Sequence, residues 1–353
     1  MISRIQEKVT TGVRLTPEDC LMLFNSDDIF TIGQLADLKS KQIHSDKVYY
    51  SRNRHVNPTN LCVNRCKFCA FSRSAGEEGG FEHTVTDIIN ILRQTDEYFR
   101  ELHIVGGLHP NWPFDYYVSL LSQIKQNFPH VYIKAFTAVE IDYMSRLNGL
   151  GVEQTLKILK NAGLDMLPGG GAEIFSSSVR NALCPEKISA SEWLHIHGKA
   201  HLLGIKSNAT MLYGHIESFE DRVSHLSELR DLQDKTNGFF AFIPLSYQPD
   251  SRISGTRFPS AIDDLKTIAI SRLFLDNFPH IKAYWIMLGE KLTQVALLFG
   301  ANDIDGTVIQ EKIAHSAGAK SAEKLTVYDI ENLIKKAGKI PVERTALYEE
   351  VVG

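Results

Sequence analysis

Cys62, Cys66 and Cys69 stand in the segment Cys62-Val-Asn-Arg-Cys66-Lys-Phe-Cys69, a CxxxCxxC spacing that crowds three of the chain's five cysteines into eight positions. Thiolates are soft ligands suited to zinc and to iron–sulfur clusters. A structural zinc site usually closes on four protein ligands, and only three cysteines lie together here. A 4Fe–4S cubane has four iron corners, which ferredoxins cover with four cysteines; three thiolates leave one corner for an exchangeable ligand. An open iron suits bond-making chemistry better than plain electron transfer. The competing readings are a Cys3His zinc site using His55 or His83, three incidental cysteines, and a non-catalytic iron–sulfur or zinc-binding protein.

Composition narrows the setting. An odd cysteine count, behind an N-terminus (Met1-Ile-Ser-Arg-Ile-Gln-Glu-Lys8) without an apolar leader, argues against a disulfide framework and for a cytoplasmic chain. Lysine and arginine number 38 against 42 acids, a formal charge of −4, with no basic block to grip nucleic acid through phosphates. No apolar run approaches the roughly 20 residues of a membrane helix.

The elements that must position the cysteines follow a strand–helix alternation. Short β-branched or aromatic segments read as strands at 55–57, 102–105, 131–136, 165–167, 207–212, 239–244 and 281–288, with a faint eighth at 301–304. Between them lie helical patterns: Val152, Leu156 and Leu159 share one face before Gly163, and Ser189 with Glu192 reads as a capping box ahead of Trp193, Ile196, Ala200 and Leu203. Eight such repeats predict a parallel (β/α)8 TIM-type barrel over 51–315. A helical extension is expected over 1–50, where Thr16-Pro17-Glu18-Asp19 opens a helix, and another over 316–353. The cysteines then follow the first barrel strand, on the face where such barrels carry their active sites. Glycine-bearing strand ends at Gly106-Gly107 and Gly169-Gly170-Gly171 allow close approach of a ligand to the backbone.

Weaker signals read as packing. His197 and His201 stand four apart beside an apolar stripe, without the glutamate of a zinc protease motif. Cys20 and Cys184 read as buried or bystander thiols.

With these motifs in place, the chain resembles the radical S-adenosylmethionine (SAM) superfamily. CxxxCxxC after the first strand, Phe68 just before the last cysteine, and Gly106-Gly107 after the second strand carry the likeness, although Leu108 replaces the usual acidic third residue of the glycine motif. That departure shifts the grip on the methionine amino group to backbone carbonyls. The resemblance implies one 4Fe–4S cluster per chain, held by Cys62, Cys66 and Cys69, whose open iron chelates SAM. It implies reductive cleavage of SAM to a 5′-deoxyadenosyl radical, with electrons from an external donor such as flavodoxin or ferredoxin. It further implies that Glu140 meets the SAM ribose or ammonium, and that Asn208, Ile243 and Pro244 line the adenosine.

Longer segments are similar to one family of that superfamily, the aminofutalosine synthases of the futalosine route to menaquinone. They are His103 to Pro110, Ile133 to Ile141, Leu167 to Phe175, Ser207 to Glu217, Ala241 to Leu245 and His315 to Ala319. The family implies a small-molecule substrate, 3-[(1-carboxyvinyl)oxy]benzoate, and radical addition to its enol-ether double bond, with aryl migration and loss of carbon dioxide. Two carboxylates and an aryl ring require hydrogen-bond donors and aromatic walls. His109, Trp112, Tyr116, Glu173, Arg180, Tyr213 and His215, together with Lys187, are the candidates by position and chemistry. Dehypoxanthine futalosine cyclase and the deazaflavin-precursor synthases share the barrel and cluster motif; Lys134 to Glu140 and Tyr213-Gly214-His215 fit the synthase better.

Overall fold

The computed structural model describes residues 2–94, 97–248 and 258–351. Within them the strands are β1 (Lys47–Ser51), β2 (Asn53–Val56), β3 (Glu101–Ile104), β4 (Tyr132–Ala135), β5 (Met166–Leu167), β6 (Lys206–Tyr213), β7 (Phe239–Ser246), β8 (His280–Ile281), β9 (Asp303–Gly306) and β10 (Ile340–Glu343). Strands β2 to β8 form one sheet in chain order, and every pairing is parallel. Parallel neighbours require crossovers, which helices supply. Several start on caps legible in the sequence: Thr84 with Asp87, Thr137 with Glu140 and Ser218 with Asp221 form capping boxes.

The sheet curls, and residues 302–309 fill the eighth place. On one side the Asn302 amide donates to the Ile281 carbonyl at 3.0 Å and the Ala283 amide to Asp303 at 2.8 Å; on the other, the His55 amide donates to Ile309 at 2.9 Å. The faint eighth strand is therefore real, but its main partner is β1. Strand β1 is central in a second, parallel sheet of order β10–β1–β9. Because β1 runs into β2 across one residue, this sheet sits at the N-terminal end of the barrel.

Three local expectations need correction. The segment at 1–50 is mostly helical but also supplies β1, whereas 316–353 holds the helix Val327–Lys336 amid loops and supplies β10; the two strands pair from Lys47↔Ile340 to Tyr50↔Glu343. Partners so far apart in sequence leave no local signature. Of 281–288 only the start is strand; Trp285–Leu288 turns into a helix, with Trp285 wholly buried and its indole donating to the Gly306 carbonyl at 2.9 Å. Tertiary packing overrides the β-propensity of that aromatic run. Ser189 accepts from the Glu192 amide at 3.1 Å, an ordinary N-cap rather than a reciprocal box. No helix among the described residues is long and apolar enough to cross a membrane.

Candidate active site

A cavity of about 320 Å³ opens at the C-terminal ends of the barrel strands, in the range of small-molecule sites. Cys62, Cys66, Phe68 and Cys69 line it, with Gly106, Gly107, Glu140, Gly169, Glu173, Asn208 and Ile243. The cysteines ride on an irregular loop after β2 that backbone bonds fix to three other segments. The Cys62 amide donates to Arg73 at 3.1 Å, Val63 to Leu108 at 3.0 Å and Lys67 to Leu183 at 2.8 Å, while Gly107 donates back to Thr59 at 2.9 Å. The two glycines are required by that crossing: a Cβ on Gly107 would sit 2.2 Å from the Leu61 carbonyl oxygen, and one on Gly106 would sit 3.0 Å from that of Thr59. The Val105 and Leu108 carbonyls accept from Asn57 and Val63, and Gly106 and Gly107 line the cavity between them.

The donor set fits a 4Fe–4S cluster. All three thiols are free of disulfides. All three line the cavity, and a cubane takes each thiolate on its own iron. Burial pushes the Cys66 thiol up to about 12, so metal loading displaces its proton. Beside the loop, the Lys187 ammonium pairs with the Glu173 carboxylate and stands 5.1 Å above the Phe68 ring. Asn208, which lines the cavity, presents a buried Oδ1 without a partner, an open acceptor for a ligand.

Glu140 plays a more structural part than expected. One oxygen accepts from the Thr137 amide at 2.7 Å and hydroxyl at 2.8 Å; the other accepts from the Gly106 amide at 3.1 Å. It thereby ties the glycine pair to the next helix. Burial, offset in part by those bonds, raises its carboxyl to about 7.

Several expected substrate contacts, and one expected adenosine contact, point elsewhere, and the polar atoms of most are spent within the scaffold. Arg180 is buried and donates to the carbonyls of Ala172, Ile174 and Ile188, stitching the glycine-rich turn. The Tyr213 hydroxyl donates to Asp264 at 2.7 Å in the helical layer. His215 lies within its own turn, 3.0 Å from the Leu212 carbonyl and paired with Glu217. His109 bonds Glu82 at 2.5 Å and stacks on Trp112, which stacks on Tyr116, whose hydroxyl donates to the His83 carbonyl at 2.7 Å. Pro244 alternates to the outer face of β7, while its neighbours Ile243 and Leu245 face in. None of these seven lines the cavity. His197 and His201 both meet the Ser207 hydroxyl, at 2.9 and 2.7 Å, as packing partners.

The cavity instead exposes residues that sequence reading passes over: His103, Lys134, Tyr284, Asp305 and Glu311, with His55 weighed only as a zinc ligand. For His55, His103, Lys134 and Asp305 the signal is a polar side chain on a barrel strand, where branched apolar ones ordinarily sit; Tyr284 and Glu311 lie outside the strands.

Fold and site together define a class: a parallel barrel whose cavity bears a three-thiol loop that fits an iron–sulfur cluster. Residues 56–229 match the family model of the radical SAM superfamily, and 236–352 match the CofH/MqnC C-terminal region. The aminodeoxyfutalosine synthases of Thermus thermophilus and Streptomyces coelicolor are 46% and 41% identical, each over 98% of this chain and over 95% and 92% of their own lengths. A 5-amino-6-(D-ribitylamino)uracil–L-tyrosine 4-hydroxyphenyl transferase of Methanopyrus kandleri is 40% identical over 92% of this chain and 90% of its own. Methylornithine synthase shares the fold, with a TM-score of 0.76 at 17% identity, covering 96% of this chain and 97% of that one. The chain belongs to the aminodeoxyfutalosine synthase family of radical SAM enzymes. Its cofactors are a 4Fe–4S cluster and SAM.

Proposed function

We propose that the chain joins the adenosyl part of SAM to 3-[(1-carboxyvinyl)oxy]benzoate, giving 6-amino-6-deoxyfutalosine for menaquinone synthesis. The observation that carries this reading is the likeness to the Thermus synthase along nearly the whole of both chains. When bound, the cluster and SAM supply the electron and the 5′-deoxyadenosyl radical that such chemistry requires.

The chain's own residues do the rest. Cys62, Cys66 and Cys69 hold the cluster, and the backbone at Gly106 and Gly107 receives the methionine ammonium. Asn208 and Ile243 border the adenosine. Lys187, held by Glu173, sets a positive charge at the cavity mouth for a carboxylate. Leu108, Val139, Leu245 and Met287 keep water from the reacting carbons. We assign the catalytic barrel to 51–315, between extensions 1–50 and 316–353. We place the enzyme in the cytoplasm, with flavodoxin or ferredoxin as its electron donor.

Anaerobic protein loaded with iron and sulfide, then given dithionite, SAM and the enolpyruvyl benzoate, is expected to yield a product retaining the adenosyl carbons by mass spectrometry. Release of those carbons only as free 5′-deoxyadenosine would overturn the reading.

A further inference from the structure

His55, His103 and Lys134 form one row across three adjacent strands: His55 pairs in register with His103, and His103 with Lys134. All three line the cavity, one layer below the rim where the cysteine loop and Gly106 begin. The surrounding charges are already settled. Lys134 bonds Glu101, Lys282 bonds Asp305 and stands 3.6 Å from Asp303, and Arg344 bridges Asp303 at 2.7 Å and Glu101 at 3.3 Å. Three cations thus meet three carboxylates in the barrel floor.

The two imidazoles, and the Nη2 atom of Arg344, are left unpaired. His55 and His103 meet edge to face, with centroids 4.6 Å apart, and the Nε2 atom of each is buried without a hydrogen-bond partner. The Asp305 carboxylate stands 4.0 Å from His55, beyond bonding reach. His55 is only 6% exposed, so its open nitrogen cannot turn to bulk water. Leaving such groups unpaired is costly, and a floor that balances its own charge gives no structural reason to bear that cost twice. A ligand that brings acceptor oxygens removes it, since a neutral imidazole with its proton on Nε2 donates one hydrogen bond.

We propose that His55 and His103 receive the ring carboxylate of the substrate and so select a carboxylated aryl ring. This rests on the function proposed above. The vinyl carbon must meet the adenosyl carbon near the rim, which keeps the vinyl carboxylate at the level of Lys187. The meta carboxylate lies at the opposite end of the molecule and reaches one layer deeper.

Two measurements test the assignment. With wild-type protein the enol ether lacking the ring carboxylate is expected to lose about 10- to 100-fold in kcat/KM. His55→Leu and His103→Leu should lose a similar factor on the full substrate and little on the truncated one. Variants that keep the wild-type preference overturn the proposal. Independently of any variant, isotope-labelled histidine resonances of two buried imidazoles should shift with 3-hydroxybenzoate and stay in place with phenol; no shift with either overturns it. Failure of the parent function looks different: wild-type protein would form no adenosylated product from either enol ether, whatever the histidine signals do.

Discussion

Gly107 and Leu61 touch backbone to backbone: a Cβ on the glycine would stand 2.2 Å from the leucine carbonyl oxygen, one residue before Cys62. The glycine motif after β3 and the cysteine motif after β2 are therefore two halves of one object. The first is the surface on which the second lies.

Gly107→Ala is expected to move the cysteine loop while leaving the barrel standing, because the clash falls on an irregular segment. Overpacking of this kind costs about 1–3 kcal/mol. Iron bound per chain after anaerobic reconstitution should fall, with the far-ultraviolet spectrum unchanged; full iron loading would refute the coupling.

Lys187 and Glu173 are mutually buried, with side chains 15% and 12% exposed. Lys187→Met strands a carboxylate and should cost about 3–5 kcal/mol in denaturant unfolding of the metal-free protein. Adding Glu173→Gln should recover most of it, since the stranded charge is gone. Equal stability of the single and double variants would show that the pair is not coupled.

Arg180 should behave as scaffold. Arg180→Gln leaves the Ala172, Ile174 and Ile188 carbonyls short of donors and is expected to destabilise by about 2–4 kcal/mol. The KM for substrate in the surviving folded enzyme should stay within about twofold of wild type, a change below about 0.5 kcal/mol. A large KM rise with unchanged stability would return this residue to the substrate site.

His315 supplies a pH dependence. Its hydrogen bond to Glu311 raises the imidazole from 6.5 to about 9, while burial opposes. A raised folded-state pKa stabilises fully below pH 6.5 and fades as pH climbs through about 9. Because the ring is partly open to water, the effect should amount to a few tenths of a kcal/mol to about 1 kcal/mol. The thermal midpoint of His315→Gln should lie below wild type at about pH 6 and meet it near about pH 10; parallel curves would refute the pair.

Chemistry concentrated in short segments is legible in the sequence alone. Three cysteines in eight positions, glycines at strand ends and a regular strand–helix alternation determine the cluster loop and the barrel, because spacing along the chain sets which groups can meet within one loop. Identity at a position does not say which way its polar atoms turn. Arg180, Tyr213 and His215 read as pocket donors by type, yet each hydrogen-bonds within the scaffold, a choice made by the packed chain around it. Strands β1 and β10 escape sequence reading for a related reason: their pairing joins residues almost three hundred positions apart, and no local pattern encodes it. The row His55–His103–Lys134 exists only because parallel strands align in register, so tertiary pairing alone turns three scattered polar residues into one floor.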